Sequence, residues 1–176
     1  MHVAFTFVIY FSAWKHFKMN TEIQCLISQL KESFEGDPWF GRNMQQLLNE
    51  VKEQVAFEKP NGQHSIAELV WHMVNWREFV ITRFVKNESK DLHYFEENDW
   101  RKIDETDSSQ WQKGVKKLQE TQEQLLNILM IQEEDILDKK VEERTYNFRT
   151  LLNGIVQHDI YHIGQIAYLV KYFARK

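Results

Sequence analysis

The amino-acid sequence predicts an all-α protein, an antiparallel four-helix bundle with a long loop between its second and third helices. The 176 residues include only 6 Gly and 2 Pro, so few turn-forming residues interrupt the chain. Apolar residues recur at helical spacing in four separate stretches, which is the pattern of helices that bury one face. A chain of this length builds a single domain around one core.

The first predicted helix runs from residue 22 to about residue 55, with a break at Gly36-Asp37-Pro38. Beyond the break, apolar residues resume at helical spacing from Met44 to Val51, so the helical pattern continues. Residues 57–62 end in Pro60-Asn61-Gly62 and are predicted to connect this segment to the next helix.

The second predicted helix begins after Ser65 and reaches about Lys86. Ser65 is its expected N-cap because Glu68, three residues later, completes a capping-box pattern. Residues 87–107 are polar and acidic, and we predict that they form the long loop. Loops of about 20 residues in compact domains are often functional lids.

Ser108 or Ser109 is expected to cap the third predicted helix, which reaches about Met130. Residues 133–148 follow, and Val141 to Phe148 are expected to include a short extended piece. The fourth helix is predicted from about Thr150 to Phe173, where apolar residues repeat every three or four positions.

Residues 1–18 differ from the rest of the chain and are interpreted as an atypical N-terminal extension of a domain at residues 19–176. Their apolar run, residues 3–14, is uncharged but shorter than the roughly 20 residues that cross a bilayer. No Lys or Arg precedes this run, unlike the start of a signal peptide. The sequence therefore predicts no membrane partner.

Charge and cysteine content limit the partners and the compartment. The net charge is −4 and no segment is a stripe of basic residues, so we expect no nucleic-acid partner. A single cysteine excludes an internal disulfide framework and predicts a reducing, cytoplasmic location. The aromatic content of 14% is compatible with a homodimer, although no segment identifies an interface.

Three of the seven histidines lie on predicted inward faces of helices. His158 and His162 are one turn apart, about 40° around the fourth helix, and share their apolar face with Gln165. His72 lies on an apolar face of the second helix. Three neutral imidazoles with an open position are typical of catalytic metal sites. Spacing alone leaves the alternative open that these are core histidines, each with one hydrogen-bond partner.

The chain resembles the DinB/YfiT-like superfamily of small bacterial four-helix metalloproteins from about residue 22 to residue 172. The resemblance is carried by Gly-Asp-Pro-Trp-Phe-Gly (36–41), Ser-Ile-Ala-Glu-Leu-Val-Trp-His (65–72), Tyr-Asn-Phe (146–148) and Gly-Ile-Val-Gln-His-Asp-Ile-Tyr-His-Ile-Gly-Gln-Ile (154–166). It implies an antiparallel bundle that holds one divalent ion, zinc or nickel, through His72, His158 and His162. Some members are thiol transferases that use bacillithiol or mycothiol.

Three functions are therefore expected, in order. The first is a metal-dependent transferase that joins a bacillithiol-type thiol to small electrophilic substrates. The second is a metal-dependent hydrolase, for which Glu68 and Asp159 are weak candidates as the base, because Glu68 belongs to the capping box and Asp159 points about 100° away from the histidines. The third is a non-catalytic, metal-stabilised protein that binds a small molecule. The residues expected to line the pocket are Trp39, Trp76, Gln165 and Glu68.

Overall fold

The computed structural model of the chain describes residues 21–85 and 90–175, so the predicted extension at residues 1–18 lies outside the described residues. Within these ranges the regular structure is helical, and the β-pairing consists of one isolated bridge. The α-helices are α1 (Glu22–Glu35), α2 (Met44–Glu50), α3 (Glu53–Ala56), α4 (Ile66–Phe84), α5 (Leu92–Glu97), α6 (Ser109–Met130) and α7 (Phe148–Phe173). Short 3₁₀ helices occupy Pro60–Gly62 and Glu134–Asp138.

The first predicted helix is divided into three pieces, and its break is longer than Gly36-Asp37-Pro38. A Cβ atom on Gly36 would lie only 2.7 Å from the Cα atom of Glu32, so α1 ends where only glycine fits. Asn43 begins α2 with a capping box to Gln46, and its side-chain Nδ2 donates a 2.6 Å hydrogen bond to the Gly36 carbonyl. This hydrogen bond therefore joins the end of α1 directly to the start of α2.

The segment predicted to be a long loop contains a helix, α5, in its described part. Asp91 caps α5 by accepting a 2.8 Å hydrogen bond from the Tyr94 N–H. Phe95 is fully buried against Phe79, and Asn75 Nδ2 donates a 2.9 Å hydrogen bond to the Phe95 carbonyl. This segment is therefore anchored to α4, and the connection predicted as a long loop contains one short helix.

The predicted extended piece is reduced to a single bridge between Lys140 and Asn147. Asn147 then caps α7, accepting a 3.1 Å hydrogen bond from the Thr150 N–H, so this helix begins two residues before the predicted start. The observed α6 runs from Ser109 to Met130, close to the predicted bounds, but Ser108 at its N-cap position makes no side-chain capping hydrogen bond in the described part of the chain.

The four longest helices pack on one another: α4 contacts α6 and α7, and α1 contacts the same two helices. Their buried apolar side chains form two clusters, one near Leu125 and Phe148 and the other near Met73 and Ile166. These contacts are compatible with the predicted bundle, whose antiparallel arrangement stays a prediction. In the part of the chain that the structure describes, no helix is both long and apolar enough to cross a membrane.

Candidate metal centre

The structure brings the three predicted histidines together where α4 packs against α7. The Nε2 atoms of His72 and His158 are 2.9 Å apart, and those of His158 and His162 are 3.1 Å apart. One ring nitrogen from each of the three histidines lies within 4.8 Å of the others. The site thus combines two side chains one turn apart on α7 with one from the facing helix.

Local sequence accounts for this placement. The Ser65–Glu68 capping box forms as predicted, with the Ser65 hydroxyl accepting from the Glu68 N–H and the Glu68 carboxylate accepting from the Ser65 N–H. It starts α4 in the register that turns His72 inward, where 7% of the residue is exposed. On α7, His162 is 3% exposed and His158 is half-buried.

The second ring nitrogen of His72 is held by Asp99. Nδ1 of His72 lies 3.0 Å from both the backbone oxygen and Oδ1 of this residue. Trp76 also donates a 2.6 Å hydrogen bond from Nε1 to Oδ1 of Asp99, which fixes the carboxylate. Because Asp99 offers acceptors, the ring proton of His72 belongs on Nδ1.

The second ring nitrogen of His162 is held by Gln165, one turn further along α7. Nδ1 of His162 donates to the Gln165 side-chain Oε1 over 2.6 Å. The corresponding Nδ1 atom of His158 is buried and has no hydrogen-bond partner among the described residues, and the carboxylate oxygen Oδ1 of Asp159 is 3.9 Å away. Two of the three rings are therefore oriented by an outer acceptor.

This proton arrangement fits a cation at the centre of the cluster. With their protons on Nδ1, His72 and His162 both direct an Nε2 lone pair toward His158, which has one proton to place. In the metal-free site the single ring proton of His158 can satisfy only one of these two lone pairs, whereas a divalent ion between the rings would bind an Nε2 lone pair from all three. At Zn–N distances of about 2.0–2.1 Å, nitrogens on a tetrahedral ion would be about 3.3 Å apart. The observed 2.9 and 3.1 Å separations are close to that spacing.

Burial keeps two of the histidines in the neutral form that binds metals. Desolvation lowers the pKa of His72. Desolvation, followed by the neighbouring charge of His158, lowers the pKa of His162 to about 4. Because the neutral imidazole is the ligand form, both rings are ready to coordinate a metal at neutral pH.

Asp159, one of the two carboxylates considered as a hydrolytic base, is committed to a buried ion pair. Its oxygens accept from Arg77 Nη2 at 2.7 Å and Nε at 3.3 Å, and both residues are 1% exposed. Gln122 accepts a further 2.7 Å hydrogen bond from Arg77 Nη1. Burial alone would raise the pKa of Asp159, but the charge and hydrogen bonds of Arg77, together with the neighbouring His158, lower it overall. Asp159 is therefore a structural anion.

Glu68, the other carboxylate, is also engaged. Besides capping α4, it forms a 2.9 Å ion pair with Lys59. Burial would raise the pKa of Glu68, but the Lys59 ammonium and the Ser65 N–H lower it overall. Neither Glu68 nor Asp159 has the raised pKa of a general base that works near neutrality.

The sequence interpretation missed Asp99, Trp100 and Arg77. Trp100 stacks on the His72 ring at a centroid distance of 4.0 Å, with His64 stacked on its other face at 3.6 Å. Asp99 and Trp100 follow α5 in a polar segment without periodicity, so no sequence signal places them. Arg77 could have been predicted to face inward, because it follows Val70 and Met73 at the three- and four-residue spacing of one helix face.

Two cavities flank the histidines. The larger, about 600 Å³, lies on the His162 side and is lined by Trp100, Gln165 and Tyr168 among others. The smaller, about 250 Å³, lies on the His158 side and includes Trp76. Gln165 thus lines the larger cavity and Trp76 the smaller, whereas Glu68 lines neither. That Gln165 and Trp76 contact a ligand stays a prediction.

Trp39 is the predicted pocket residue that the structure does not bring to the site. It lies in the turn between α1 and α2, is 100% exposed, and lines neither cavity. Among the described residues, Trp39 therefore lies apart from the histidines, and its expected contact with a ligand stays a prediction.

Comparison with known proteins agrees with these observations. Residues 39–166, which include all three histidines, match the DinB superfamily. No curated protein and no solved structure matches the chain significantly. The match covers most of the chain, and the chain therefore belongs to the DinB superfamily.

Proposed function

We propose that the protein binds one divalent ion, zinc or nickel, through the Nε2 atoms of His72, His158 and His162, and that it is a transferase. Its substrates would be a low-molecular-weight thiol of the bacillithiol type and a small electrophile. The observation that carries this proposal is the convergence of three Nε2 atoms with two of the opposite Nδ1 atoms held by Asp99 and Gln165.

The residues around the ion have distinct roles in this proposal. A divalent ion held by neutral ligands keeps its full charge and favours the thiolate form of a thiol ligand. Asp99 and Gln165 keep two of the imidazoles in the required tautomer and orientation. Trp100 covers one face of His72 and forms part of the wall of the larger cavity, where a thiol would reach the site.

The reaction itself is a substitution at carbon. The thiol sulfur forms a bond to the electrophilic carbon, the leaving group departs with the electron pair of the broken bond, and the thiol proton passes to solvent. This reaction needs no carboxylate base, because lowering the pKa of the thiol already supplies the nucleophile.

The state of the nearby carboxylates supports transfer over hydrolysis. Hydrolysis would benefit from a carboxylate that accepts a proton from water beside the ion. Asp159 is paired with Arg77, Glu68 with Lys59 and Ser65, and Asp99 with His72 and Trp76. Each of the three already serves a structural or orienting purpose.

Metal analysis tests the proposed binding of a divalent ion. The purified protein is stripped of metal and then reloaded with zinc or nickel. We expect one ion per chain, retained in a His93→Ala control and lost in His162→Ala. His93 is an exposed histidine on α5 and so controls for the loss of an imidazole. Equal metal content in both variants would disprove the proposed ligands.

Measurement of turnover tests the proposed transferase activity. Loaded protein should accelerate conjugation of bacillithiol to monochlorobimane, and stripped protein should not. If the ion binds and raises the melting temperature without accelerating conjugation, the transferase proposal is wrong and the protein is a metal-stabilised binding protein. A cytoplasmic location, a homodimer and the lack of nucleic-acid binding stay predictions.

A further inference from the structure

Two glycines in the interior of α7 have no packing reason to be glycine. Gly154 and Gly164 lie well inside this 26-residue helix, where glycine is less favourable than alanine. A Cβ atom added to either residue would meet no atom of the described residues within 4 Å. Gly114 of α6 differs, because its Cβ would lie 3.0 Å from Nε1 of Trp71. The two glycines of α7 therefore leave space open.

The space that each glycine leaves belongs to a different cavity. Gly154 lines the 250 Å³ cavity beside His158, and Gly164 lines the 600 Å³ cavity beside His162. The histidine cluster lies between the two cavities, with His158 in the wall of one and His162 in the wall of the other. A ligand in either cavity can thus approach the same centre from its own side.

The two cavities differ in chemistry and size. The larger has polar lining groups, including Gln63, His64 and Gln165, and its volume falls in the range of pockets that hold a whole small molecule. The walls of the smaller cavity are mainly apolar, formed by Trp76, Phe79, Val80, Tyr146, Leu151 and Ile155. At about 250 Å³ it is below that range but larger than a cavity of about 150 Å³ that holds benzene.

The walls of the smaller cavity are held in place independently of any ligand. Trp76 is fixed by its 2.6 Å hydrogen bond to Asp99 and meets Phe79 edge to face at 5.6 Å. Phe79 is 1% exposed and packs in turn on Phe95. Because this shape is already formed, a ring that enters gains contacts without first ordering the wall.

We propose that the smaller cavity is an apolar subsite that takes one aromatic ring or branched alkyl group, and that this group belongs to the electrophilic substrate. The thiol then occupies the larger, more polar cavity on the other side of the histidines. Binding of the ring follows from the cavity alone, whereas its assignment to the electrophile rests on the proposed thiol transfer. Gly154 is the position that keeps this subsite open.

Fluorobenzene, which has no metal-binding group, tests the subsite by ¹⁹F NMR titration of stripped and zinc-loaded protein. We expect saturable binding in both forms, weakened at least tenfold in Gly154→Leu, because the new side chain occupies the cavity. The matched variant Gly164→Leu fills the other cavity and should bind within twofold of the native protein. Equal effects of the two variants, or no saturable binding, would overturn the subsite. Leucine favours helix more than glycine does, so both variants should fold.

Two electrophiles that differ by one phenyl ring, iodoacetamide and its N-phenyl derivative, test whether the ring in the subsite belongs to the electrophile. Both are assayed with the same thiol in a Cys25→Ser background, because the exposed thiol of Cys25 would itself react with them. Burial of a phenyl ring predicts a kcat/KM higher by about 10- to 100-fold for the phenyl compound, lost in Gly154→Leu. Metal-dependent turnover without this preference would overturn the assignment. Fluorobenzene binding without turnover of either compound would instead disprove the transferase and leave the subsite standing.

Discussion

Replacing Gln165 by alanine tests whether the outer hydrogen bonds prepare the histidines for metal. The change removes the Oε1 acceptor, 2.6 Å from Nδ1 of His162, and leaves the ring contacts of α7 otherwise unchanged. His162 is 3% exposed, so its Nδ1–H then lacks a partner or the ring rotates to find one. Either response misdirects the Nε2 lone pair.

The expected size of the effect follows from that lost hydrogen bond. A buried donor without a partner costs about 1–3 kcal/mol, which corresponds to roughly 5- to 150-fold in affinity. Loss of an outer partner in metal sites costs about 10- to 100-fold. Gln165 is only half-buried, so water replaces part of its role, and we expect zinc affinity to fall by about tenfold.

A competition titration against a chromophoric chelator measures this affinity. Gln165→Glu supplies a carboxylate acceptor and should bind zinc at least as tightly as the native protein. Gln157→Ala alters an exposed glutamine of the same helix and should have no effect. If Gln165→Ala binds zinc within twofold of the native protein, the hydrogen bond to His162 does not prepare the site and the reasoning is refuted.

Three further predictions concern stability. Chelation should lower the melting temperature by about 5–10 °C relative to protein in zinc at 100 times its Kd, as measured by differential scanning calorimetry. The melting temperature of the His162→Ala variant should not change on chelation. In metal-free protein, burial lowers the pKa of His162 to about 4 and lowers that of His72. In the unfolded chain His162 has a pKa of about 6.5, so between pH 6.5 and pH 4 the unfolded state binds a proton that the folded state does not. The free energy of unfolding is therefore highest above pH 6.5, and this residue lowers it by about 3 kcal/mol as the pH falls to 4. Urea unfolding at several pH values checks this, and an unchanged pH dependence in His162→Leu would contradict it. Asp159→Ala leaves Arg77 buried without its carboxylate partner and should lower the free energy of unfolding in urea by about 3–5 kcal/mol. Asp135→Ala breaks an exposed ion pair and should lower it by less than about 0.5 kcal/mol. Similar losses in the two variants would refute a special role for burial.

Most helix positions were predictable because local signals determine them. The Ser65–Glu68 capping box begins α4, and apolar spacing of three and four residues marks α6 and α7 almost to their ends. The break after α1 proved longer than predicted because Asn43 caps the following helix and also bonds back to Gly36. That second bond joins residues seven positions apart, which no helical periodicity describes.

Two of the three histidines in the cluster were predictable for the same reason. His158 and His162 belong to one helix, whose 3.6-residue turn determines that their side chains lie on one face. Their meeting with His72 needed the packing of α4 on α7, 86 residues apart in sequence at the His72–His158 contact. The family motif made that meeting an expectation; the two interatomic distances made it an observation.

The sequence alone was sufficient for the all-helical class, the main helix ends and the inward pair on α7, since each depends on neighbours within about one turn. Tertiary structure alone decided that Asp99 and Trp100 hold His72, that Arg77 neutralises Asp159, and that Trp39 lies apart from the site. It also decided that the histidines lie between two cavities of different polarity. The physical reason is distance along the chain: these contacts join α4, the segment after α5, and α7, and their energies exist only once the helices pack together.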